Sequence, residues 1–265
     1  MAKINVSAAD GLCVIELNDP PANTYSYEMM VEIDAAVLAA RMDPGVHVIV
    51  LIGAGDKFFC AGANIPMLRD ADPEFKYYFC LHANETLARL EQTPKLVIAA
   101  LNGHTVGGGL EVAMAADIRI ARADAGKIGL PEVALGVLPG TGGTQRLARL
   151  VGKARAIELM ATGRLLTMTE ARALGIVTEV WGDAELNGRA FRDAVLEYAR
   201  QFTPPNKASR AVGRMKRAVQ SGAEAGIGEG LALERELQQL LFHGEDAREG
   251  IAAHLEKRKP AFKGR

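Results

Sequence analysis

Two short stretches constrain the fold of this chain more than anything else in it. Val46-His47-Val48-Ile49-Val50-Leu51-Ile52 is a nearly continuous apolar run between Gly45 and Gly53, and Leu96-Val97-Ile98-Ala99-Ala100-Leu101 is a second. A strand with one wet face alternates polar and apolar residues. A short run without that alternation reads as a strand of a sheet covered on both faces. Around these runs, residues 4–17 alternate like a hairpin turning near Asp10-Gly11, and Pro20-Pro21 forces an extended loop. Residues 28–41 and 72–92 carry helical spacing, and Gly107-Gly108-Gly109 opens a further helix. Strand, glycine-rich turn and helix in succession predict an α/β protein. From about residue 204 the pattern becomes wholly helical. There Leu231, Leu233, Leu237, Leu240, Leu241 and Phe242 give one helix a broad apolar face, which is expected to dock on the main domain or on another subunit.

Bulk properties and failed motifs narrow the function. A chain of 265 residues suits one main domain with a terminal extension. Its 49% hydrophobic and 24% charged residues are the balance of a globular protein, and a formal net charge of -1 provides no basic surplus for nucleic acid. Cys13, Cys60 and Cys80 are too scattered for a disulfide framework or a metal clip, which suits a reducing compartment. No apolar stretch is long enough to span a bilayer, so a cytoplasmic protein without a membrane partner is expected. Gly53-Ala54-Gly55 and Gly140-Thr141-Gly142 both lack the third glycine of a dinucleotide fingerprint, which would fall at Phe58 and Gln145. Gly152-Lys153 is followed by Ala154 and has Leu147 where a phosphate-binding loop needs glycine. The four serines lie outside any GxSxG, and the five histidines form no helical pair, so neither a hydrolase nucleophile nor a metal site is predicted.

What remains is a constellation of glycine loops and carboxylates. Gly107-Gly108-Gly109-Leu110-Glu111 leaves N–H groups free at a helix start and places Glu111 on the same face as Gly108, about 4.5 Å along the axis. From this segment alone, a helix start with a solvent-facing Glu is the plainer interpretation. Phe59-Cys60-Ala61-Gly62-Ala63-Asn64 follows the first apolar run and could present a second N–H toward the same crevice, although a packing turn explains it equally. Cys60 reads as a small buried hydrophobe rather than a nucleophile. In Leu130-Pro131-Glu132-Val133 a carboxylate sits among apolar neighbours, where desolvation would raise its pKa; a structural ion pair is the alternative.

These residues resemble the enoyl-CoA hydratase/isomerase (crotonase) family. The likeness rests on Gly107-Gly108-Gly109-Leu110-Glu111, on Leu130-Pro131-Glu132-Val133 and on Gly136-Val137-Leu138-Pro139-Gly140-Thr141-Gly142-Gly143-Thr144-Gln145-Arg146-Leu147. Asn23, Ala61-Gly62-Ala63 and Asn102-Gly103 belong to it, and Glu158-Leu159, Thr162-Gly163, Gly175-Ile176-Val177 and Glu256-Lys257-Arg258-Lys259-Pro260 continue it. It covers nearly the whole chain and is closest over residues 96–177.

The resemblance implies a crotonase-like spiral of ββα units over residues 1–200 and a C-terminal helical trimerisation region over 201–265, assembled as a homo-hexamer of two trimers. It implies hydration of a 2-enoyl-CoA to the 3-hydroxyacyl-CoA, with the N–H groups of Ala63 and Gly108 as oxyanion hole and with Glu111 and Glu132 handling water and proton. Coenzyme A would be part of the substrate, and no separate cofactor is expected. Substrate contacts are expected at Ala22, Ala61, Asn64, Ile65 and Met67, and at Pro131 and Gly140. Lys259 and Lys263, with Lys257 and Arg258, could reach a CoA phosphate, including one across a subunit boundary, although for each alone a solvated basic tail is the plainer interpretation. Met67, Leu68, Phe75, Tyr77, Tyr78 and Phe79 are candidates for the acyl pocket, of which at most half should touch substrate. Three departures stand out: Asn64 replaces a common Asp, Pro66 a commonly basic residue, and an extra residue near Asp124-Ala125-Gly126 lengthens the spacing of Glu111 and Glu132. An isomerase or other enolate-forming member, and a non-catalytic oligomeric binding protein, are the alternative functions.

Overall fold

The computed structural model describes residues 2–265. It opens with the hairpin of β1 (Ile4–Ala9) and β2 (Leu12–Leu17), whose turn residues Asp10 and Gly11 both have positive φ, 52° and 80°. Two such residues in sequence make the turn whose twist matches the flanking strands. Helix α1 (Tyr27–Met42) then crosses over to β3 (Val48–Gly53), which pairs in parallel with β2. Next come β4 (Phe58–Cys60), α2 (Ile65–Asp70) and α3 (Pro73–Gln92), followed by β5 (Leu96–Leu101), β6 (His104–Val106) and α4 (Gly108–Met114). After β7 (Ile118–Arg122) and β8 (Lys127–Gly129), a 3-10 turn (Glu132–Leu135) leads to α5 (Gly143–Val151) and α6 (Lys153–Thr162). The remaining elements are β9 (Leu166–Thr167), α7 (Met168–Ala173), β10 (Glu179–Trp181), α8 (Asp183–Leu186), α9 (Phe191–Arg200), α10 (Ser209–Ala223), α11 (Ile227–Phe242) and α12 (Glu245–Leu255).

The strands form a six-stranded sheet in the order β1-β2-β3-β5-β7-β10 and a four-stranded sheet in the order β4-β6-β8-β9. The chain alternates between them: β3, β5 and β7 each enter the large sheet, and β4, β6 and β8 directly after them enter the small one. This is the spiral of ββα units that the resemblance implies. Both predicted apolar runs are central strands of the large sheet, and every residue of β3 and β5 is buried. Their alternate residues serve two different cores. Ile49, Leu51, Val97, Ala99 and Leu101 join the core that also takes in Met29, Ile33, Phe79 and Leu87 from α1 and α3. Val48, Val50, Ile52, Leu96 and Ile98 face Phe191, Val195 and Ala199 of α9. Both faces are therefore covered, which is why the sequence shows no polar alternation there.

Helix α10 is fastened to this body by a buried ion pair. Lys216 Nζ lies 2.9 Å from Asp117 Oδ2 and donates to the carbonyls of Leu90 and Lys95. Asp117 also accepts from Val97 N–H and from Gln220. Burial pushes the Asp117 carboxyl above its ordinary value and the Lys216 ammonium below its own, against their mutual attraction. Helix α11 packs against α10 and α12, and none of its residues is buried. Its apolar face therefore does not dock on the main body of its own chain, one of the two placements expected from the sequence.

Removing one member of a buried pair strands the other, at a cost of about 3–5 kcal/mol. Lys216→Ala is therefore expected to lower the urea midpoint markedly. Arg149→Ala, whose pair with Glu224 is more than half exposed, should leave the midpoint nearly unchanged. Equal shifts in the two variants would contradict the role given to Lys216.

Candidate active site

Strands β4, β6 and β8 run in the same direction in the small sheet. The segments leaving them, 61–64, 107–108 and 130–132, therefore emerge at one edge, where parallel sheets commonly present their ligand sites. Residues 61–64 are laid against 22–25 by three backbone hydrogen bonds. Ala61 N–H donates to the Ala22 carbonyl (3.0 Å), Tyr25 N–H to the Gly62 carbonyl (3.0 Å) and Asn64 N–H to the Tyr25 carbonyl (2.9 Å). Ala63 is bridged to Tyr25 in this pairing without using its own N–H. The two glycine loops touch, since a Cβ built on Gly62 would lie 3.2 Å from the Gly108 nitrogen. Glycine is required at two positions of the triplet by close approach: a Cβ on Gly108 would fall 2.2 Å from the Tyr25 ring, and one on Gly109 2.1 Å from the Cys60 carbonyl oxygen. Among the described residues, no group accepts from the amides of Ala63 or Gly108.

Glu111 does not face solvent, contrary to the plainer sequence interpretation: it is 2% exposed. A buried carboxylate needs donors, and residues 141–143 provide them. Oε1 accepts from Thr141 N–H (2.8 Å) and from Gly143 N–H (2.6 Å), the first amide of α5, and Oε2 accepts from the Thr141 hydroxyl. Thr141 Oγ1 is also 3.1 Å from the buried Tyr25 hydroxyl. The Thr141 proton is engaged by the carboxylate, so Tyr25 is the donor in that contact. Burial, and next the charge of Glu111, hold the Tyr25 phenol well above its ordinary pKa, which keeps it protonated.

Glu132 has the opposite surroundings. It opens the 3-10 turn after β8, and its Oε1 lies 3.0 Å from where a Cβ on Gly107 would be. Its Oε2 is buried and has no hydrogen-bond partner among the described residues, so the alternative of a structural ion pair is not met. Burial pushes its carboxyl up to about 7, the charge of Glu111 adds to this, and its own backbone N–H and Lys76 oppose it. The edge thus holds two carboxylates, one met by three donors and one able to hold a proton near neutrality. Pairs with surroundings this different are where acid and base roles separate.

The other predicted residues fall into two groups. Ala22, Ala61, Asn64, Ile65 and Met67 lie on the paired segments or just beyond, with Asn64 capping α2 by accepting from Met67 N–H (3.0 Å). Pro131 precedes Glu132, and Gly140 belongs to the segment that holds Glu111, where its carbonyl accepts from Asn84. Lys259 and Lys263 are not brought to this edge of their own chain. Lys263 pairs with Glu245, and its N–H donates to Asp246 on α12. The next residue, Gly264, packs beside His47 and Ser209, below the start of β3. Of the aromatic candidates, Phe79 is buried against Tyr25 (ring centroids 5.8 Å apart), whereas Tyr77 and Tyr78 are exposed. Burial pushes the Cys60 thiol up to about 12, in keeping with a packing role. The segment 124–126 is the turn between β7 and β8, tied at its exposed side by Asp124 to Arg122 (2.6 Å), and Glu132 still reaches Gly107. No group of three or more His, Cys, Asp or Glu side chains among the described residues could hold a metal ion. The sequence analysis assigned no role to Tyr25 or Thr141. Thr141 stood in the Gly140–Gly143 run, which entered as a failed dinucleotide loop and as part of the family resemblance, with no role for its hydroxyl, and Tyr25 carries no local pattern.

Comparisons with known proteins agree along the whole chain. The family model described as enoyl-CoA hydratase/isomerase matches residues 7–265. The crotonyl-CoA hydratase of Syntrophomonas wolfei is 37% identical over 252 residues, covering 95% of this chain and 94% of its own. The short-chain-enoyl-CoA hydratase of Clostridium acetobutylicum is 38% identical over 256 residues, covering 96% and 95%. A solved enoyl-CoA hydratase structure from Geobacillus kaustophilus HTA426 superposes with a TM-score of 0.95 at 46% identity, covering 100% of this chain and 98% of that one. A match of this extent makes the chain a member of the enoyl-CoA hydratase/isomerase family.

Proposed function

We propose that this protein hydrates a 2-enoyl-CoA thioester to the 3-hydroxyacyl-CoA. The observation that carries the proposal is the contrast between Glu111, met by three donors, and Glu132, held near neutrality, beside two unused backbone amides. Relatives named as hydratases of crotonyl-CoA and of short-chain enoyl-CoA support it.

In this scheme the thioester oxygen accepts from Ala63 and Gly108 N–H. As the water oxygen bonds to C3, the electron pair of the C2–C3 double bond moves toward the carbonyl, and negative charge grows on that oxygen. Each donor aimed at it contributes roughly 3 kcal/mol. Glu111 takes the proton that leaves the water, and Glu132 gives its proton to C2 as the carbonyl re-forms. The thioester is the electron sink, so the scheme calls for no separate cofactor. Residues Ala22, Ala61, Asn64, Ile65, Met67, Pro131 and Gly140 border the substrate in this proposal.

Residues 1–200 act as the catalytic body, and 201–265 as the region through which copies assemble, as a hexamer of two trimers. The uncovered apolar side chains of α10–α12 support this, among them Val219, Ile227, Ile251 and Leu255. Lys259 and Lys263 would meet CoA only on a neighbouring copy. The free thiols of Cys13, Cys60 and Cys80 fit the cytoplasm.

Turnover of a short 2-enoyl-CoA, followed by loss of enoyl-thioester absorbance, tests the reaction. Both Glu111→Gln and Glu132→Gln should lower kcat by roughly 10²- to 10⁴-fold. Loss confined to Glu132→Gln would instead indicate isomerisation. For pH, a carboxyl raised to about 7 keeps its proton below that value and loses it above. With Glu132 as the acid, kcat/KM of the free enzyme should hold below about pH 7 and fall above it, and Glu132→Gln should lack this limb; a rise through pH 7 would make Glu132 the base. In sedimentation the wild type should run as six copies, and the Val219→Arg, Ile251→Arg double variant as smaller species.

A further inference from the structure

We propose that Tyr25 and Thr141 are positioning residues that set the geometry of the reaction centre, a role that rests on the hydration reading above. Tyr25 adjoins both oxyanion-hole amides and reaches Glu111 through one hydroxyl. Its backbone brackets Ala63: its N–H donates to the Gly62 carbonyl at 3.0 Å and its carbonyl accepts from Asn64 N–H at 2.9 Å. Its ring lies against Gly108, where an added Cβ would fall 2.2 Å from Cε1 and 2.3 Å from the hydroxyl oxygen. Its hydroxyl reaches Glu111 through Thr141.

The hydrogen-bond accounting gives this chain a purpose. A carboxylate offers about four acceptor sites. Two backbone donors fill Oε1 of Glu111, while Oε2 receives only the Thr141 hydroxyl and keeps a site for water. A threonine hydroxyl alone can rotate its proton away. Donation from Tyr25 occupies the Thr141 oxygen from the other side, so its proton stays on Glu111 and fixes which lone pair of Oε2 is left for the water. Tyr25 is 3% exposed, and Thr141 is the side-chain partner of its hydroxyl, so a phenylalanine would pack there without supplying the donor.

The test uses the full chain and a short 2-enoyl-CoA, together with the Glu111 carboxyl ¹³C resonance, assigned by its loss in Glu111→Gln. Tyr25→Phe should lower kcat about tenfold with KM held within about twofold. Thr141→Val should lower kcat at least as far, Thr141→Ser should restore it, and the double variant Tyr25→Phe, Thr141→Val should be no slower than Thr141→Val alone. The Glu111 resonance should move in Tyr25→Phe and Thr141→Val and stay in place in Thr141→Ser. An unmoved resonance in Tyr25→Phe, or a kcat kept within about twofold of wild type, overturns the proposal; so does a Thr141→Ser variant that fails to restore kcat while folded. A wild type that turns over no enoyl-CoA while the resonance moves as stated refutes hydration and leaves the positioning role supported.

Discussion

A carboxylate taken out of water must be met by donors, and at Glu111 that requirement organises the region around it. The donors come from a segment far along the chain, residues 141–143, so the demand of one side chain draws that segment over α4 and fixes where α5 begins. The bond from Gly143 N–H serves both partners, because the first amides of a helix lack acceptors of their own. The same contact that holds the carboxylate thus anchors the start of α5.

The two glutamates differ because their loops differ. Glu111 is in a helix packed beneath a segment of free amides, whereas Glu132 is on a short turn whose neighbours are apolar and largely lack protons to donate. Identical side chains thereby meet different surroundings, and the charge of Glu111 adds to the burial that raises the Glu132 carboxyl. The asymmetry belongs to the backbone, since it is set by which amides point inward.

Much of this was legible in the sequence, for identifiable reasons. The apolar runs announced β3 and β5 because a strand covered on both faces has no alternation to disguise it, and Leu96–Leu101 coincides with its strand. Gly107, Gly108 and Gly109 flagged a close approach. The burial of Glu111 was not legible from its own segment, because its donors lie about thirty positions downstream and nothing local distinguishes it from a helix-start Glu at the surface. Tyr25 was invisible for the same reason: its hydroxyl partner is 116 positions away. Where the basic tail lies was not legible either, because charge alone does not say which end of the sheet a terminus returns to.

The alternation between two sheets also acts as a ruler. Thr105 is paired with Ile128 and Val106 with Gly129, so the point at which β8 releases the chain toward Glu132 is measured from β6, across the hydrogen bonds, and not along the chain from Glu111. The turn at 124–126 enters β8 from its other end, and residues added there change the path length without changing the exit. The spacing of the two carboxylates in space is therefore insulated from their spacing in sequence. Length variation between homologous chains at this turn should carry no information about the chemistry they perform.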